Sequence, residues 1–249
     1  MRSKHVTVLI GLVVAAPLLF SGRGVAAAQD NGGQVGAQAC VAPCLYDQLT
    51  LGQTNGSVSQ NFETAFNSLD NQSADDFSIP AGTFFWSVNK IEVDGLYLNG
   101  SNFQAASVNV YFYNTAGTLP PLPGTSLYQA SFVPSAGLNN GDFVVNLNPP
   151  AGLLAGKTYW VSVQANLDAG GSLPHEWLWG FRGPQAANEA AWVNPENGFG
   201  GTGCTTWKTL TACGLPVPPG PPPESDLQFR LSGSQINIAA TVYLPLVSR

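Results

Sequence analysis

Charge is what this chain has least of. Lys and Arg number 9 and Asp and Glu 15 among 249 residues, so charged side chains make up 10% of the sequence, against about 25% in an average soluble domain. Helix surfaces are usually covered by Glu, Lys and Arg, so the shortage argues against a helical protein. Basic residues are the rarer sign, and the net charge is −6. Affinity for nucleic acid comes largely from Lys and Arg on phosphates, so this balance excludes nucleic acid as a partner and disfavours an anionic membrane surface. Histidine occurs only as His5 and His175. A zinc hydrolase centre usually takes two or three histidines, and HExxH is absent. There is also no G-x-S-x-G elbow. His175 lies in Leu173-Pro174-His175-Glu176, which reads as a solvated loop and leaves a Ser–His–Asp site without its base.

Long hydrophobic runs are missing too. Val6 to Phe20 is uncharged for 15 residues, whereas a spanning helix needs about 20. Arg2 and Lys4 precede it and Val25-Ala26-Ala27-Ala28 follows it. Basic, then apolar, then small is the layout of a secretory signal peptide, with cleavage expected after Ala28. Cleavage leaves 221 residues and takes the net charge to −9. The expected location is extracellular or at the cell surface, with no membrane insertion once the signal is gone. In that oxidising setting the four cysteines are expected as disulfides. Of three connectivities, the spacing suggests Cys40–Cys44 and Cys204–Cys213. The C-x3-C and C-x8-C spacings suit a zinc site poorly.

What the chain has in quantity is turn chemistry and period-two alternation. Phe84, Trp86 and Val88 alternate, as do Val108, Val110 and Phe112; Phe143, Val145 and Leu147; Tyr159, Val161, Val163 and Ala165; Trp177, Trp179 and Phe181; and Leu227, Phe229 and Leu231. Such alternation marks strands with one buried face. Gly117 to Gly124, Asn139-Asn140-Gly141, Pro149-Pro150-Ala151-Gly152 and Asp168 to Gly171 read as turns between them. The expected fold is all-β: a two-sheet antiparallel sandwich of jelly-roll type with about eight or nine strands. The expected organisation is a signal over 1–28, an N-terminal extension over 29–72, the sandwich over 73–233 and a tail over 234–249. Asn61 to Leu69 alone looks locally helical. Pro216 to Pro223 reads as a stiff loop inside the domain.

Three groups of residues are candidates for chemistry. Trp177, Trp179, Trp192 and Trp207 fall close together in sequence. Exposed indole faces stack on the apolar faces of sugar rings. Trp177 and Trp179 alternate with Phe181 as a core stripe does, so Trp192 and Trp207, bounded by Gly- and Asn-rich loops, are the expected platform. Trp160, out of phase with the apolar face of its strand, is expected to be partly exposed beside them. Asp75 and Asp76, with Asp226, offer oxygens for a structural calcium ion, the one cofactor the sequence suggests. The plainer alternative is that Asp75 and Asp76 hydrogen-bond turn amides. Asp168, Glu176, Glu189 and Glu196 supply the carboxylates that a glycosidase needs.

Several segments in order resemble a family of bacterial secreted β-sandwich accessory modules: Ala74-Asp75-Asp76-Phe77, Val108 to Tyr113, Tyr159 to Ala165, Trp177-Leu178-Trp179-Gly180, Gly203 to Trp207 and Asp226 to Gly233. The closing Tyr243-Leu244-Pro245-Leu246-Val247 is similar to the tails of exported proteins of Chloroflexota type. The resemblance implies a non-catalytic extracellular module and names no ligand. The expected function is therefore a secreted binding or structural module directed at extracellular polysaccharide or cell-surface components. A carboxylate-based glycoside hydrolase and a surface packing protein without a ligand are the alternatives.

Overall fold

The computed structural model describes residues 42–49, 55–98, 104–117, 119–168, 175–215 and 225–238. The expected signal segment, Cys40, the polyproline stretch and the tail beyond 238 lie outside them. In chain order the described residues form β1 (Cys44–Asp47), β2 (Gly56–Val58), β3 (Gln60–Asn61), the 3-10 helix η1 (Thr64–Leu69), β4 (Gln72–Ser78), β5 (Phe84–Val93), β6 (Gly95–Leu98), β7 (Ser107–Ala116), β8 (Leu122–Phe132), β9 (Val144–Leu154), β10 (Thr158–Asn166), β11 (Glu176–Arg182), β12 (Ala191–Val193), β13 (Lys208–Thr209), the 3-10 helix η2 (Thr211–Cys213), β14 (Asp226–Leu227) and β15 (Phe229–Asn237). The fold is all-β, as the alternation requires.

The strands make three hydrogen-bonded sheets where two were expected. The first runs β1-β15-β5-β9. The second runs β13-β12-β4-β10-β7-β8, with β3 added beside β10. The third is β14-β11-β2, with β6 also on β11. Two of the third sheet's four strands, β6 and β14, continue strands of the first. Val93 faces Phe229 in the first sheet, but Gly95 faces Trp179 and Leu227 faces Phe181 on β11. Only Asp94 separates β5 from β6, and only Gln228 separates β14 from β15. Both chains therefore change sheets by bending at one residue, which is how sandwich corners are turned. Position 95 must be glycine for this corner to close, because a Cβ there would meet the Trp177 indole nitrogen at 2.5 Å.

The inner faces follow the expected period. Val108, Val110 and Phe112 of β7, Val161 and Val163 of β10, and Trp177, Trp179 and Phe181 of β11 are all buried in one core. Phe77 sits at its middle, with Tyr46, Trp86, Phe112, Tyr159 and Phe229 at ring-centroid distances of 5.6–6.3 Å.

Four expectations about organisation change. Residues 29–72 are not simply an extension: β1 pairs with β15, β2 with β11 and β3 with β10, so the domain includes them from at least β1 onward. Asn61 to Leu69 is helical only as the short 3-10 turn η1, which leaves Phe66 and Leu69 half-buried against the core. The tail expected from 234 begins later, because β15 continues to Asn237. Of the proline-rich stretches expected as turns, Gly117–Gly124 holds as a connection up to Leu122, where β8 begins, whereas β9 runs through Pro149 and Pro150 with a register shift opposite Val88 and Lys90. Proline lacks a ladder donor and is confined to edge strands and bulges. Both strands are the outermost of their sheets, so the residues are admissible there.

Candidate functional site

The second sheet turns one face to the core and the other outward. Register fixes which residues are outward: Trp160 lies opposite Tyr113 and Asp76, Ser162 opposite Tyr111, and Gln164 opposite Asn109. Alternation along β7 and β10 then puts Asn109, Tyr111 and Tyr113 beside Trp160, Ser162, Gln164 and Asn166 on one surface. Two regions follow. Around Tyr113 the surface is aromatic. Tyr111 and Tyr113 stack at 5.8 Å with an interplanar angle of 12°, and Trp207 meets Tyr113 edge-on at 5.7 Å and 71°. Toward the start of β7 it is a ladder of amides and hydroxyls. Asn109 Nδ2 donates to Gln164 Oε1 at 3.1 Å and to Asn166 Oδ1 at 2.9 Å, and Ser131 Oγ donates to Asn109 Oδ1 at 2.6 Å. Gln72 joins the two regions, its Nε2 donating to both Tyr113 Oη and Ser162 Oγ at 2.8 Å. Burial pushes the Tyr111 and Tyr113 phenols above their usual range, so both remain neutral hydroxyls at physiological pH.

The structure sorts the expected tryptophans differently from the sequence. Trp192 is completely buried, contrary to expectation. It lies opposite Ser73, whose neighbour Ala74 faces outward, so its indole points inward; its Nε1 donates to Val58 O at 3.1 Å. Trp160 does sit on the outer face, as its phase implied, yet it too is fully buried. It forms a small second cluster with Ala74, Tyr113 and Ala191, over which Tyr111, Leu122 and Trp207 pack. Small side chains at 74 and 191 leave room for Trp207 to lie on the sheet. Trp207 alone of the three expected platform residues keeps partial exposure. Tyr111, also half-exposed, was not expected in this role; its outward phase on β7 was the available signal.

Trp207 is held there by a covalent loop. Cys204 and Cys213 are bridged as expected, and both are buried against the core. Cys44 is disulfide-bonded as well; Cys40 lies outside the described residues. Closing a loop of about ten residues contributes at most roughly 2–3 kcal/mol, and the strands bury the main core without it. Replacing Cys204 and Cys213 together with serine is therefore expected to leave a folded β domain with a modestly lower Tm and faster amide exchange around Trp207. Global unfolding of that variant at room temperature would show that the core depends on the bridge.

Asp75, Asp76 and Asp226 are all buried, but they do not form a common cation cage. Successive strand residues point to opposite faces, so Asp75 turns to the core and Asp76 to the outer side. Asp75 Oδ2 accepts from Gln48 Nε2 at 2.6 Å and from Leu227 N at 2.7 Å. Asp76 accepts from Asn188 N at 3.0 Å and Asn188 Nδ2 at 2.7 Å. Asp226 Oδ2 accepts from Ala186 N. Among the described residues no group of three acidic, histidine or cysteine side chains is placed to hold a metal ion. The three carboxyls instead tie β4 to β14 and to the loop before β12. Burial pushes Asp76 up to about 6 and Asp226 up to about 7. Burial first, then the nearby Asp226 and Asp76, hold Asp75 well above the carboxylate range.

The carboxylates weighed for glycosidase chemistry are dispersed. Glu189 receives Thr211 N at 2.6 Å and Thr211 Oγ1 at 2.9 Å, at the start of η2. Glu176 borders an apolar cleft with Leu98, Leu178 and Phe199, while Asp168 borders another with Glu63 and Asn166. Glu196 is exposed. His175, expected as a solvated loop residue, is buried. Among the described residues no helix is long and apolar enough to cross a membrane. The chain matches no protein-family model, no curated protein and no solved structure.

Proposed function

We propose that this chain is a secreted, non-catalytic module that holds an extracellular or cell-surface glycan on the outer face of its second sheet. The observation that carries this reading is the aromatic corner of Tyr111, Tyr113 and Trp207 set directly beside a ladder of amides and hydroxyls. Sugars present apolar ring faces and a rim of hydroxyls. An aromatic surface next to amide groups, which both donate and accept, matches that pairing. The signal-like start and the paired cysteines are consistent with such a role outside the cell.

A glycan array probed with the mature protein tests the reading. Binding to at least one glycan is expected, and it should be lost in Trp207→Ala and in Tyr111→Ala while Trp192→Phe, buried on the opposite side of the sheet, retains it. Binding unchanged in both aromatic variants would place the site elsewhere. Release of reducing sugar by the purified protein would replace the binding role with a catalytic one.

A further inference from the structure

From the charge pattern of this face we infer that its ligand is an uncharged polysaccharide, running along β7 with its sugar rings against Tyr111 and Trp207 and its hydroxyls on the amide ladder; this rests on the glycan-binding reading above. The face can be enumerated from register. Across β8 the outward residues are Ser126, Gln129 and Ser131, directly opposite Tyr113, Tyr111 and Asn109. Across β10 they are Ser162, Gln164 and Asn166; Ser162 and Gln164 are buried beneath the face, so Asn166 is the β10 side chain with an accessible part, beside the exposed Ser126, Gln129 and Ser131 of β8. None carries a charge, and neither does Gln72 at the edge of the aromatic corner. Two carboxylates lie near it, and Lys157 borders its far end, lining a cavity with Asn114, Thr115 and Thr158 just before β10. Asp70 is close enough to help raise the Tyr111 phenol, and Asp76 shares the outer side of β4. Lys208 follows Trp207 in sequence but lies opposite the inward-facing Trp192, and its ammonium is drawn to Gly203 O at 3.4 Å.

An acidic or sulfated glycan would therefore meet no cation among these outward residues of β7, β8 and β10 and would be repelled by Asp70. Recognition of carboxylate and sulfate normally requires Arg or Lys. A neutral chain loses nothing by their absence. The amides already bond to one another, with Asn166 Nδ2 donating to Ser107 Oγ at 2.7 Å and Asn61 Nδ2 to Asn166 Oδ1 at 3.0 Å. The ladder is thus held in place before any ligand arrives, which lowers the ordering cost of binding. Asn109, Tyr111 and Tyr113 are alternate residues spanning about 13 Å of strand, so the stacking and hydrogen-bonding halves of the site lie along one line.

Affinity gel electrophoresis of the mature protein tests this. The gels contain either neutral polysaccharides (hydroxyethylcellulose, mixed-linkage β-glucan, galactomannan, xyloglucan) or acidic ones (polygalacturonate, alginate, hyaluronate, heparin). Retardation by at least one neutral polymer and none of the acidic ones is expected. It should be unchanged between about 0.05 and 0.5 M NaCl, where ionic contacts would be screened, and weakened about tenfold or more by Tyr111→Ala. Retardation by acidic polymers alone, or binding abolished by salt, would overturn the inference while leaving a glycan-binding role intact. Neutral binding indifferent to Tyr111→Ala and Trp207→Ala would overturn the placement on this face. No retardation by any polymer would remove the underlying reading and the inference with it.

Discussion

The free energy of unfolding is expected to fall as the pH is raised from about 4 to about 8, the reverse of a protein stabilised by surface ion pairs. Asp75, Asp76 and Asp226 are buried, and burial is the leading cause of the raised pKa values of all three. A carboxyl that holds its proton more tightly in the folded state makes the native protein bind more protons than the unfolded chain. Stability then decreases with pH across the interval between the two pKa values. Below about 4 the carboxyls are protonated in both states and carry no penalty. Above the folded values, about 6 for Asp76 and about 7 for Asp226, the cost of a buried charge is present in full. A tenfold change in acidity is worth about 1.4 kcal/mol, so Asp76 alone accounts for a difference on the order of 3 kcal/mol. The other groups facing the cluster are the Tyr46 phenol, whose Oη donates to Gln48 Oε1 at 2.8 Å, the Arg182 guanidinium and Glu189. Urea denaturation at pH 5, 6, 7 and 8 measures the slope. The Asp76→Asn and Asp226→Asn double variant should flatten it, which separates these groups from the general repulsion of an acidic chain. Stability that stays level or rises from pH 5 to 8 would mean that the three carboxyls ionise freely in the folded protein.

The second large effect is a contrast between two tryptophans. Trp179 lies fully buried on β11. Its ring stacks on Trp177 and meets Phe229 edge-on, each at 6.3 Å, and its Nε1 donates to Gln228 O at 2.7 Å. Trp179→Ala opens a cavity and removes the indole hydrogen bond to Gln228 O, so a loss of about 3–5 kcal/mol is expected. Domains of this kind are stable by only about 5–15 kcal/mol, so the variant should be barely folded at room temperature. Trp207 is half-exposed on a closed surface loop, and Trp207→Ala should cost about 1–2 kcal/mol, with the proposed glycan binding as its principal loss. Urea midpoints and near-ultraviolet circular dichroism of the two variants, measured side by side, check the contrast. A Trp207→Ala variant as unstable as Trp179→Ala would make Trp207 a core residue, and a stable Trp179→Ala variant would mean that the third sheet contributes little to the core.

The sequence by itself determined the class of structure and much of the core. Period-two alternation is a local property, so Val108-Val110-Phe112, Tyr159-Val161-Val163 and Trp177-Trp179-Phe181 could be assigned to strands and to buried faces directly. The Cys204–Cys213 bridge was legible for a related reason: its partners are close in the chain. Tertiary structure alone decided what covers each face. Trp160 is outward by phase, yet it is buried because a loop remote in sequence brings Trp207 over it, and two alanines on other strands leave the space. Trp192 sits among loop-forming residues, and its inward direction follows only from the pairing of β12 between β4 and β13. Pro149 and Pro150 look like a turn until the sheet order makes β9 an edge strand, where a missing donor is harmless. Asp75 and Asp76 read as paired oxygens in one dimension, but the pleat sends them to opposite sides of β4, where amides from β14 and from the loop before β12 receive them. Alternation reports which residues share a face; whether that face meets solvent depends on contacts between distant segments, and those exist only once the sheets have formed.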